Sequence, residues 1–200
     1  MNASPASARN DRGAVVAAAM SVLAENGLPG LSMRRIADEL EVQVSALYWH
    51  FPNKQALLAA VSEQVVALGE DTSDAAADLA AIATSLRERL LAHRDGAELV
   101  SSSLALGLLE LPSRTRLEST ALAEGLDAAS AAIAADTLVH YVIGSTFHEQ
   151  QRTHASVVGA ADASADLTPA RVADSADEFA AGLAMVVAGI RSAAGSRAAR

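Results

Sequence analysis

Between Ser32 and Pro52 the sequence has room for two short helices and little else. Ser32 can cap a helix by accepting a hydrogen bond from a free backbone N–H, and Ile36, Ala37 and Leu40 follow at helical spacing, so a helix is predicted over Met33–Leu40. Glu41-Val42-Gln43 then leads into a second predicted helix from Val44 to about His50. Pro52, which lacks an N–H, stops the chain there. Two helices this short, joined this tightly, form a helix-turn-helix unit.

The flanking segments are helical as well. A first amphipathic helix is predicted from about Asp11 to Asn26, broken by Gly27-Leu28-Pro29-Gly30. Beyond Pro52, Asn53 can cap a longer helix carrying Leu57, Leu58, Val61, Val65 and Leu68. Further helices are predicted at about 74–93, 97–109, 112–124, 127–152 and 170–194, with Thr168-Pro169 as cap and first-turn proline of the last. A break is expected over Thr153–Thr168, and residues 1–8 and 195–200 are expected to fray.

With 51% hydrophobic but only 3% aromatic residues, the core has to be built from Ala, Leu, Val and Ile. No strand alternation or internal repeat is visible. The predicted fold is all-α: an N-terminal three-helix helix-turn-helix domain (1–54), a connecting helix (55–68), and a larger helical domain (69–200) for ligand binding and dimerisation.

Several function classes are disfavoured. The chain has no Cys, hence no disulfide, thiolate nucleophile or Cys-based zinc site, which suits a cytoplasmic protein. It has no Gly-x-Ser-x-Gly turn, phosphate-cradling Gly-rich loop or His-Glu-x-x-His motif, so an enzyme is not expected. The charge-free stretch Phe179–Ile190 falls short of the roughly 18 residues a bilayer span needs, and no membrane association is expected. Ala14–Ala24 has the composition of a signal peptide behind Arg9 and Arg12, but Asp11 and the helical spacing of Val15, Ala19, Val22 and Leu23 favour an amphipathic helix.

A net charge of −9 looks wrong for a DNA-binding protein until it is mapped. Residues 1–54 carry five basic and five acidic side chains, so the whole excess belongs to residues 55–200. In a helix-turn-helix the second helix enters the major groove. Its first residues here are Val44, Ser45 and Ala46, small enough for close approach, with Val44 or Ala46 suited to a thymine methyl and Ser45 to a base or phosphate. Arg34 suits a two-pronged contact to guanine. Tyr48, His50 and Lys54 suit phosphates, with help from the helix termini at Ser32 and Asn53. Trp49 and Phe51 are expected in the small core.

Leu31-Ser-Met-Arg-Arg-Ile-Ala-Asp-Glu-Leu, followed by Ser45-Ala-Leu-Tyr-Trp-His-Phe-Pro-Asn-Lys-Gln-Ala-Leu-Leu, resembles the tetracycline-repressor (TetR) family over about residues 11–68. The resemblance implies an all-helical homodimer whose first three helices bind a palindromic operator and whose larger domain binds an inducer. It also implies base contact at Arg34 and backbone contact at Tyr48, His50 and Lys54. One departure is Glu41, where the family usually has Gly. If the turn needs a positive φ, the substitution costs on the order of 1 kcal/mol.

Leu90-Leu-Ala-His-Arg-Asp-Gly-Ala extends the resemblance more weakly. The repressors that bind tetracycline with magnesium have a metal-ligating His where this chain has Val100, an Asn and a Phe where it has Ile82 and Leu86, and an Arg where it has Leu104. Valine cannot ligate magnesium. The expected small-molecule effector is therefore mainly hydrophobic and needs no metal or other cofactor, with Ile82, Leu86, Val100, Leu104 and Leu117 as candidate pocket residues or, alternatively, ordinary core. His140 and His148 lack the i, i+4 spacing and third ligand of a metal site. Phe179, Leu183, Val186, Val187 and Ile190 form a helical stripe suited either to a four-helix bundle across a dimer axis, with the 127–152 helix, or to an intramolecular helix pair. The partners expected are double-stranded operator DNA, a small molecule and a second copy of the chain.

Overall fold

The structure, a computed structural model, describes residues 11–67, 78–157 and 169–198. Among these residues nine helices and no strands are found: α1 Arg12–Gly30, α2 Met33–Glu39, α3 Val44–Leu47, α4 Lys54–Val66, α5 Leu79–Leu91, α6 Gly96–Ala105, α7 Pro112–Ala123, α8 Ala128–Val157 and α9 Pro169–Ala198. They form two compact units. The described residues of 1–67 pack with 91–110, and those of 68–90 pack with 111–200. These packing units cut the chain differently from a functional division at 54 and 68, because α6 packs on α4.

In the first unit the boundaries follow local chemistry. Asp11 caps α1 by accepting from the Ala14 N–H at 2.7 Å. The expected break appears at Gly27, whose φ of 68° interrupts an otherwise continuous α1. That glycine is required twice over, by its backbone and by its surroundings. A Cβ on it would lie 2.6 Å from Asp95 Oδ2, the same oxygen that accepts from the Leu28 N–H at 2.7 Å. Arg94 Nη1 donates to the Glu25 carbonyl at 2.8 Å, so the turn before α6 is bound to the kink in α1. Ser62 of α4 and Ser103 of α6, both buried, share a hydroxyl–hydroxyl bond of 2.8 Å. Ser62 also donates to the Leu58 carbonyl, so the pair leaves no polar cost in an otherwise apolar seam.

The second unit is built on Leu79, Ile82, Leu86 and Leu90 of α5, Leu117 and Ala121 of α7, and Ala131, Ala135, Leu138 and Val142 of α8, all buried. Pro112 opens α7 at its first turn, where its missing N–H is of no consequence. Gly125, at φ 96°, turns the chain back into α8. Tyr141 of α8 stacks on Phe179 of α9 with centroids 5.4 Å apart and donates its hydroxyl to the Phe179 carbonyl at 2.8 Å. The Arg87 guanidinium lies over the Phe179 ring, 4.8 Å from its centroid, and pairs with Glu149 Oε2 at 2.7 Å.

Four expectations about extent are corrected, among them α6, which ends at Ala105 rather than 109. The second recognition-pair helix ends at Leu47 rather than His50, because Phe51 and Pro52 demand a turn. α8 runs on through the expected break at Thr153 to Val157, and α9 continues past 194 to Ala198. Residues 1–8, 68, 74–77, 158–168 and 199–200, where fraying, the end of the connecting helix at Leu68, a helix start and a loop are expected, lie outside the described residues. Among the described residues the segment Ser175–Gly195 is long and apolar enough by length and composition to cross a bilayer, at mean hydropathy 1.2, a property that core helices share. Its Phe179, Leu183 and Val187 are buried within the protomer.

Candidate nucleic-acid interface

The helix-turn-helix pair is held by a small set of buried side chains. Ser32 caps α2 by accepting from the Arg35 N–H at 3.2 Å, and Met33, Ile36 and Ala37 face inward. Leu47 of α3 and Phe51 just beyond it are wholly buried, and the Arg12 guanidinium sits 4.5 Å above the Phe51 ring. Between α2 and α3 the turn is made by Glu41 at φ 55°, the left-handed conformation that glycine adopts without cost. The Val42 N–H bonds the Ala37 carbonyl at 3.0 Å, closing the turn. Asn53 caps α4 by accepting from the Ala56 N–H at 2.8 Å, which places Lys54 in its first turn.

What this scaffold leaves outside is polar and aromatic. Ser32, Arg34, Ser45 and Tyr48 are exposed, while Val44, Ala46, His50 and Lys54 are half-buried. The Ser32 oxygen is engaged by its cap, yet its hydroxyl proton can still be donated to a phosphate. Phe51 is buried as expected, but Trp49 is 89% exposed, against the expectation of a core position. The reason is angular. Leu47 and Phe51, four apart, already take the inward side, so Trp49 between them has to face out. With Tyr48 half-exposed beside it, Trp49 adds an indole N–H donor and a large apolar plane to this surface. Only the direction of its neighbours, and not its hydrophobicity, gave a signal for that placement.

The candidate effector residues are divided between the two units. Ile82, Leu86 and Leu117 are buried in the second, whereas Val100 is buried and Leu104 half-buried in the first. Of the stripe expected at a dimer interface, Phe179, Leu183 and Val187 are buried within the protomer, consistent with the intramolecular pairing, and Val186 and Ile190 are half-buried. The face of α9 that points outward carries Ala181, Ala184, Ala188 and Met185, the last 74% exposed. On α8 the outward residues include Ile133, 67% exposed, and Thr137 and His140.

Comparison with known proteins agrees with this architecture. A family described as bacterial regulatory proteins, tetR family, matches residues 15–61, and one described as tetracyclin repressor-like, C-terminal domain, matches residues 68–194. The class A tetracycline repressor from transposon 1721 of Escherichia coli is 34% identical over 191 residues, 88% of each chain. The class G tetracycline repressor of Vibrio anguillarum is 36% identical over 146 residues, covering 70% of this chain and 69% of its own. Among solved structures, Mycobacterium smegmatis BioQ superposes with a TM-score of 0.78 at 37% identity, over 91% of this chain and 98% of its own. BioQ with its natural double-stranded DNA operator gives 0.74 at 35% identity, over 90% and 98%.

Fold and motif together define an all-helical, DNA-binding transcriptional regulator of the helix-turn-helix class. More narrowly, the chain belongs to the TetR family.

Proposed function

We propose that this regulator is a homodimeric repressor that reads a palindromic operator through α2 and α3 and is released from it by a mainly apolar small molecule that needs no metal. The observation that carries the DNA half of this reading is the presentation of Arg34, Ser45, Tyr48 and Trp49 on the outside of a helix pair clamped by Ile36, Leu47 and Phe51. In this assignment Arg34 reads a base pair, Val44, Ser45 and Ala46 approach base edges, and Ser32, Tyr48, His50 and Lys54 hold the phosphate backbone. The solved operator complex of BioQ supports a duplex DNA partner. The dimer is assigned to the outward faces of α8 and α9, where Ile133 and Met185 leave apolar surface exposed, with Val186 and Ile190 at its margin.

The names of the tetracycline repressors support a small-molecule effector, but Val100, Ile82, Leu86 and Leu104 argue that it is not tetracycline with magnesium. A second reading, constitutive DNA binding with a C-terminal domain that only dimerises, is favoured by the near-complete burial of Ile82, Leu86, Val100 and Leu117 in their own units. Release of the protein from DNA by any small molecule decides against it.

The division of roles is tested by DNA affinity across salt concentrations. Arg34→Ala should lose about 1–3 kcal/mol of discrimination at one base pair. Lys54→Ala should weaken binding to every sequence and reduce the salt slope by about one. Identical losses for both variants on every DNA contradict the assignment.

A further inference from the structure

We propose that Arg89 anchors an acidic group on the effector, which makes that effector an amphipathic organic anion with an apolar body and a carboxylate. The inference rests on the effector-released reading and gives the effector a chemical class. Arg89 stands on α5 three residues beyond Leu86, and therefore on the same side of the helix one turn further along. Its Nη1 donates to Ser85 Oγ and its Nη2 to Ser113 Oγ, each at 2.8 Å. Ser113 is fully buried in the first turn of α7, four residues before Leu117. Arg89 thus sits at the polar end of two rows whose next members, Leu86 and Leu117, are candidate pocket residues.

The electrostatics of Arg89 are unbalanced. Both of its acceptors are neutral hydroxyls, and its Nε is shielded from solvent with no acceptor. Among the described residues it makes no ion pair, although burial and the nearby positive charge of Arg116 hold its pKa below the usual value, with Glu88 opposing them more weakly. Arg89 is half-buried, and even partial withdrawal of a guanidinium from water costs free energy that a hydrogen-bonded carboxylate offsets. The chain supplies desolvation and repulsion here, and among the described residues Glu88 offsets them only weakly and no carboxylate accepts a hydrogen bond from Arg89. Guanidinium geometry favours carboxylates, which accept two parallel hydrogen bonds. A purely structural tether between α5 and α7 needs the Ser113 bond but no positive charge.

Isothermal titration calorimetry on the full chain separates these roles. The probes are octanoate, dodecanoate and naphthoate, each beside its methyl ester, on the native protein, Arg89→Gln and Arg89→Lys. The native protein should bind at least one acid about tenfold or more tightly than its ester. Arg89→Gln should bring that acid down to the ester's affinity, and Arg89→Lys should keep part of the preference. Equal binding of acid and ester to the native protein, or a preference that survives in Arg89→Gln, refutes the anchor while leaving an apolar effector in place. If no acid and no ester binds, the anchor and the apolar effector are both rejected. Should Arg89→Gln fail to fold, the native acid-to-ester ratio decides, and a ratio near one overturns the proposal.

Discussion

At φ 55°, Glu41 holds a conformation in which an L side chain crowds its own backbone by about 1–2 kcal/mol, and the turn between α2 and α3 depends on it. Glu41→Gly should raise stability by about 1 kcal/mol, less the chain entropy glycine loses on folding, measured by thermal unfolding. It should also tighten nonspecific DNA binding by removing a negative charge beside the proposed phosphate contacts. His93, in the turn before α6, behaves differently because burial lowers its pKa below 6.5. The unfolded chain then binds the proton more readily than the folded one. The contribution of His93 is complete above about pH 6.5 and is lost as pH falls from there through the lowered folded value. His93→Gln should flatten the decline in denaturation midpoint between about pH 6.5 and 5, and an unchanged decline assigns the acid sensitivity elsewhere.

At the level of elements, most of the architecture was legible because it is written in short-range chemistry. Ser32 and Asn53 both cap where their types and positions indicated, and Gly27, Pro112 and Gly125 punctuate the chain for stereochemical reasons that act locally. Trp49 was not legible from composition, since its apolar bulk argued for burial while Leu47 and Phe51 had already claimed the inward side. The α9 stripe shows a related limit. Periodicity identifies a buried face but not the helix that covers it, and Phe179, Leu183 and Val187 are covered within the protomer. The effector residues were legible as apolar positions only, because an i, i+4 pattern is the same for a packed seam and a lined cavity. The α8–α9 pairing carries its own test. A Cβ at Gly182 would collide with the Tyr141 hydroxyl, which is fixed by its bond to the Phe179 carbonyl. Gly182→Ala should therefore cost about 1–3 kcal/mol in chemical denaturation, and Tyr141→Phe in the same chain should recover part of it. A neutral Gly182→Ala would mean that the two helices are spaced more widely.

For the whole molecule, the account requires two copies, since a palindromic operator presents the same half-site twice. Ile133 and Met185 leave apolar surface exposed on α8 and α9, where that association is proposed. Ile133→Glu with Met185→Glu should shift the protein to monomer in sedimentation velocity and weaken operator binding by the loss of the second half-site contact, while helical content stays unchanged. A dimer that persists in this variant places the interface on another face. The central claim, that residues 32–54 read DNA as one half of a twofold pair, is tested most directly by selecting bound duplexes from a random pool with the purified full chain. The account predicts an enriched inverted repeat at fixed spacing, and loss of selectivity at one symmetric pair of positions in Arg34→Ala. Enrichment of a single unpaired site, or of no sequence at all, would contradict it.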